Sequence, residues 1–108
     1  MKINHKTLST EEKLILYNKL YSECNFNNID STISFYKQVR ELYSTEYKQT
    51  LPEINKICIE KGYLNEKGFS KSLGACHYIW DIEKEVMKNK YGILWPSTQD
   101  LNPFTKYD

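Results

Sequence analysis

Residues 69–91 constrain the fold most. At about 100° per residue, Phe69, Leu73, Cys76, Ile79, Trp80, Ile82, Val86, Met87 and Tyr91 fall on one arc. That arc covers roughly half the helix circumference, too broad a face to leave in water. Alternation with period two is absent from the segment, so a strand would scatter these side chains over both faces. Such a helix has to pack against other elements, and the rest of the chain offers more helices to receive it.

Ser9-Thr10-Glu11-Glu12 reads as a capping box, in which the Ser9 hydroxyl and the Glu12 carboxylate satisfy reciprocal backbone N–H groups. A first helix is expected over about 10–24, with Leu14, Leu16, Tyr17, Leu20, Tyr21 and Cys24 on one side. After the turn-forming NFNNID segment, Asp30 or Ser31 can cap a second helix over about 31–48, whose apolar arc holds Phe35, Tyr36, Val39, Leu42, Tyr43 and Tyr47. Thr50-Leu51-Pro52-Glu53 reads as another capping box with proline in the first turn, giving a short third helix over about 52–61 that stops at Gly62. The NEKG segment at 65–68 is expected to be a loop, and Ser70 to open a fourth helix over about 70–91. Gly92 followed by Ile93 suits a Schellman ending.

Beyond Gly92, two prolines interrupt regular structure, except for one turn begun by Ser97 with Asp100 three residues on. Leu94, Trp95, Leu101, Phe104 and Tyr107 nevertheless make residues 92–108 too apolar for a solvated tail. The expected fold is therefore all-α, a compact bundle of about four helices with an irregular C-terminal segment packed over it. A chain of 108 residues suits one domain, residues 1–108, able to fold without disulfide or metal.

Fifteen basic and fourteen acidic residues give a formal charge of +1, so no strong field favours nucleic acid or an anionic membrane. The N-terminal MKINHKTLSTEEK has no apolar core of a signal peptide, and no run approaches a membrane span. Cys24, Cys58 and Cys76 form neither a disulfide framework nor a close pair, which fits a reducing, cytoplasmic compartment. Fourteen lysines against one arginine, with abundant Asn, suggest an AT-rich coding sequence such as that of a low-GC bacterium or its phages.

The adjacent Cys76 and His77 invite a nucleophile or metal reading. Projection separates them: Cys76 falls inside the apolar arc as a core thiol, and His77 at its polar border, four residues before Asp81. No activating base, oxyanion site, phosphate loop or paired acid and base emerges, so an enzyme is not expected, nor is a cofactor. A structural zinc site built from Cys24, Cys58 and Cys76 with His5 or His77 is an alternative, although structural zinc sites ordinarily carry closely spaced ligand pairs. Glu83 is the anomaly, an acid in the middle of the apolar arc, which needs Arg40, a tyrosine hydroxyl or a proton if it is buried.

Two functional classes follow. Residues 52–61 and 70–91 could serve as a helix-turn-helix-like nucleic-acid-binding pair, with Lys71, Lys84, Lys88 and Lys90 in its favour and Asp81 and Glu85 against it. The leading expectation is a protein-binding module with aromatic anchors at Tyr78, Trp95, Phe104 and Tyr107, a polar rim of His77, Asp81 and Lys84, and Glu83 within the apolar arc. The segment GACHYIWDIEKEVMKNKYGILWPSTQDLNPFTKYD resembles small uncharacterised proteins of low-GC bacteria and their phages. In those, a G-x-C-H-x-x-W helix leads through K-Y-G-I-x-W to an N-P segment ending near an Asp. The resemblance implies a phage or mobile-element origin and brings no catalytic residue. Short accessory proteins of that origin often inhibit or modulate a host protein, an association in keeping with the leading expectation.

Overall fold

The computed structural model describes residues 8–65 and 75–104. They form an all-α globule: α1 (Thr10–Glu23), α2 (Ile29–Leu42), α3 (Ser44–Glu60), α4 (Ala75–Tyr91) and one short turn, α5 (Thr98–Leu101). Helix α2 is central and packs against α1, α3 and α5, while α3 pairs with α4.

Helix α1 begins as expected. The Ser9 hydroxyl accepts from the Glu12 N–H at 3.2 Å, and the Glu12 carboxylate accepts from the Ser9 N–H at 3.0 Å. The Ser9 N–H first, and then the Ser9 hydroxyl, hold the Glu12 carboxyl below its ordinary range. Tyr17 points into the core. So does Lys13, whose ammonium forms an ion pair with Glu46 of α3 that burial on both sides would otherwise make costly.

The second and third helices differ from their expected limits in three respects. Helix α2 starts earlier, at Ile29, because Asn28 is the cap: its side chain accepts from the Ser31 N–H at 2.9 Å. Neither Asp30 nor Ser31 takes that role, and the Ser31 hydroxyl accepts instead from the Asn25 N–H. Helix α2 also ends at Leu42 rather than near residue 48, with a bend at Tyr43 that re-aims the chain. The apolar stripe changes phase here, from Phe35, Val39 and Leu42 on one helix to Thr50, Ile54 and Cys58 on the next. The bend lets both stripes face the core.

The expected cap at Thr50 does not form. Helix α3 runs through it, with Pro52 in its interior. The Thr50 hydroxyl donates backwards to the Tyr47 carbonyl at 2.7 Å, a mid-helix bond, and its residue is fully buried. Pro52 removes one helical N–H and costs about 3 kcal/mol in an interior position. It lies on the exposed side of α3, where water can reach the carbonyl that it leaves unpaired. The continuous face of Tyr47, Thr50, Ile54 and Cys58 against α4 offsets that cost.

Gly62, at φ +82°, ends α3, and the Tyr63 N–H returns to the Cys58 carbonyl at 2.8 Å. The expected loop at 66–68 and the expected start of the fourth helix at Ser70, with Phe69 and Leu73, lie outside the described residues. Gly92, at φ +71°, terminates α4 in the left-handed conformation that favours glycine, and the next residue, Ile93, is buried.

From Ile93 the chain returns as a strap over the helices (residues 93–104). Its α5 turn is fixed by a capping box, with the Ser97 hydroxyl accepting from the Asp100 N–H at 3.1 Å and the Asp100 carboxylate accepting from the Ser97 N–H at 2.9 Å. The core divides into two clusters. One joins Tyr17, Phe35, Val39, Leu42, Tyr43, Met87, Ile93 and Trp95. The other joins Ile54, Cys58, Leu64, Ile82 and Val86, and Tyr47 packs against both.

Candidate functional site

The anomalous Glu83 is the natural place to begin. It projects from α4 among apolar neighbours and is buried, at 8% exposure. The Tyr47 hydroxyl of α3 donates to its Oε2. Burial raises the proton affinity of the carboxyl, the Tyr47 hydrogen bond and the Arg40 charge lower it, and the balance is upward. Tyr47 in turn is a very weak acid, because burial and the adjacent carboxylate both oppose a second negative charge.

Tyr47 also stacks on Trp95 of the strap, with ring centroids 4.6 Å apart and planes 13° from parallel. Arg40 of α2 places its guanidinium carbon 5.3 Å from the centre of the same indole. One acid, one hydroxyl, one guanidinium and one indole, drawn from α4, α3, α2 and the strap, therefore meet in one place. The sequence pointed to Arg40 or a tyrosine as the partner of Glu83. The hydroxyl that binds the carboxylate belongs to Tyr47, and Arg40 contributes through its charge and its contact with the indole.

This arrangement corrects two expected contact residues. Trp95, at 2% exposure, and Glu83 are inside the fold and cannot present themselves to a partner. The reason in each case is a tertiary contact: the indole fills the gap beside Tyr47, and the carboxylate is tied to the same tyrosine.

The remaining expected residues that are described lie at the surface. Tyr78 is 54% exposed and stacks on Tyr63, with centroids 5.0 Å apart and planes 15° from parallel. His77 is half-buried and meets Trp80 edge-on, at 5.2 Å and 81°. Asp81 is exposed. Lys84 reaches the strap and pairs with Asp100 at 2.8 Å. Although burial opposes it, the Lys84 ammonium and the Ser97 N–H hold the Asp100 carboxyl below its usual range. Phe104 is 88% exposed at the end of the described strap, and Tyr107 lies outside the described residues.

Lys90 pairs with Glu53 of α3 at 2.6 Å, across a groove floored by Ile57, Ile82 and Val86. Two of the four lysines that favour nucleic acid, Lys84 and Lys90, are thus engaged by carboxylates of the chain itself. Lys71 lies outside the described residues.

The thiols are dispersed. Cys58 is fully buried in the aliphatic cluster, where burial and then the charge of Glu83 push its thiol up, away from the thiolate. Cys24 packs beside the aromatic cluster and contacts the Ser31 carbonyl, and Cys76 is half-buried on α4. Among the described residues no three His, Cys, Asp or Glu side chains are grouped so as to hold a metal ion. No helix among them is long and apolar enough to cross a membrane.

Comparison with protein-family models, curated proteins and solved structures finds no match to this chain.

Proposed function

We propose that this chain is a small protein-binding module, an accessory protein of phage or mobile-element type that inhibits or modulates a host protein. Tyr78 carries the reading. It stands more than half exposed on α4, yet its ring is already stacked on Tyr63. A partner that covers it gains a large amphipathic surface and orders little that was free, which is why aromatic side chains dominate interface energetics. His77 and Asp81 flank it on the same helix as polar rim, and Phe104 adds an exposed apolar ring at the end of the described strap.

The test is affinity capture from a low-GC bacterial host lysate with the wild-type chain and with Tyr78→Ala. The expected result is a stoichiometric protein held by the wild type and lost from the variant, while the variant stays folded and loses no more than the small contribution of the Tyr63 stack to its melting temperature. Recovery of nucleic acid that is released as salt rises would replace this reading with the helix-turn-helix-like one.

A further inference from the structure

Among the described residues, Glu83 is faced by Arg40 from α2 and by Tyr47 and Cys58 from α3. Tyr47 and Arg40 both also contact the indole of Trp95. The carboxylate and the anchor of the strap thus share their neighbours. Among the described residues the strap also has polar attachments: the Leu94 N–H donates to the Tyr17 hydroxyl at 2.9 Å, and Asp100 pairs with Lys84.

We infer that Glu83 is a positioning residue for the C-terminal strap, and that taking up a proton there tightens the seat of Trp95. Trp95 lies over Tyr47, and Tyr47 lies against Glu83. Lifting the indole opens a path for water to the carboxylate, which an ionised acid welcomes and a neutral one does not. The seated strap and the neutral acid therefore favour each other.

The sign follows from the burial of the carboxyl beside the Tyr47–Trp95 stack. Burial is the largest influence on Glu83, and the net effect raises its proton affinity above that of a free glutamate, whose ordinary value is 4.5. A group shifted upward in the seated state contributes fully below its ordinary value and loses that contribution as pH rises through the shifted one. Asp100, shifted the other way, titrates below its ordinary 3.8 and so outside this window.

The experiment is a nuclear magnetic resonance titration of the full chain that follows the Glu83 carboxyl, the Trp95 indole N–H and the exchange of the Leu94 amide corrected for its intrinsic rate. In the wild type the carboxyl and the indole should titrate with one midpoint above the ordinary glutamate value. Leu94 protection should rise at least about threefold on the acid side of that midpoint. Glu83→Gln, a neutral isostere, should abolish both pH responses and hold Leu94 in the more protected state throughout. Tyr47→Phe keeps the ring over Trp95 but loses the donor, so it should move the midpoint further up. An indole response that persists in Glu83→Gln, a Glu83 midpoint at the ordinary value, or a midpoint unmoved by Tyr47→Phe would each overturn the inference.

Discussion

The two halves of the core are built on different principles. The cluster under the strap is mainly aromatic: Tyr17 meets Phe35 at 5.9 Å and Tyr43 edge-on at 6.4 Å, and Tyr43 meets Tyr91 at 6.0 Å. The cluster between α3 and α4 is aliphatic, with Ile54, Leu64, Ile82 and Val86 around the Cys58 thiol. An aliphatic cluster is indifferent to direction and only needs its surface covered. Tyrosines bring hydroxyls, and a buried hydroxyl either finds a partner or costs free energy. Two of these hydroxyls are used to place other parts of the chain: Tyr17 accepts from Leu94, and Tyr47 donates to Glu83. A third, Tyr43, has no hydrogen-bond partner among the described residues. Burial first, and then the nearby Glu46 charge, push the pKa of its hydroxyl up to about 12. The aromatic half therefore fixes where the strap goes, while the aliphatic half holds two helices together.

This contrast can be broken most severely at Trp95. Trp95→Ala empties a buried site in the aromatic half and should cost about 3–5 kcal/mol in urea unfolding. Amide exchange should show the strap released while α3 and α4 stay protected. Ile54→Ala is the counterpart in the aliphatic half, at about 2–5 kcal/mol, and its site lies in a plainer environment that can relax. There the protection of α3 and α4 should fall with the strap still seated, as read from Trp95 fluorescence in a Trp80→Phe background. Loss of the strap in both variants would mean that the halves are one cooperative unit.

Lys84→Ala sharpens the same comparison with a smaller effect. The pair with Asp100 is about one-third exposed on each side, so water screens it and the loss should stay below about 1 kcal/mol. Its pH dependence is more telling than its size. The folded state holds Asp100 as the carboxylate, so this contribution is present above the ordinary aspartate value and disappears as pH falls through the lowered one. That is opposite in sign to Glu83, and the variant should flatten the acid limb of the unfolding profile. An unchanged acid limb would remove Lys84 from the account of the strap.

Much of the secondary structure was legible because it rests on local chemistry. Ser9 with Glu12, Ser97 with Asp100, and Gly92 each act within a few residues of where they stand, and each appears as expected. Pro52 was misread for the same reason. Its local signal is a helix start, and only the continuity of Tyr47, Thr50, Ile54 and Cys58 against α4 makes a helix through it worthwhile. At the candidate site, projection along one helix identified Glu83 as out of place but could not choose its partner. Arg40 carried a usable signal as the lone arginine of a lysine-rich chain, since a guanidinium suits a site that combines charge with an aromatic face. Trp95 carried none, because residues after Gly92 follow no period that says which way they point.

By itself the sequence determined that this chain is helical, where the helices capped by Ser9 and Ser97 begin, and that one acid sits on an apolar face. Periodicity and capping act over one or two turns, so they can be read without knowing what lies across the core. The tertiary structure decided which aromatic rings are buried and which are offered to solvent. Trp95 and Tyr78 are alike as residue types, yet one is held between α2 and α3 and the other, stacked on Tyr63, keeps more than half of its surface exposed. That difference comes from contacts between residues far apart in the chain, the Tyr47–Trp95 stack above all.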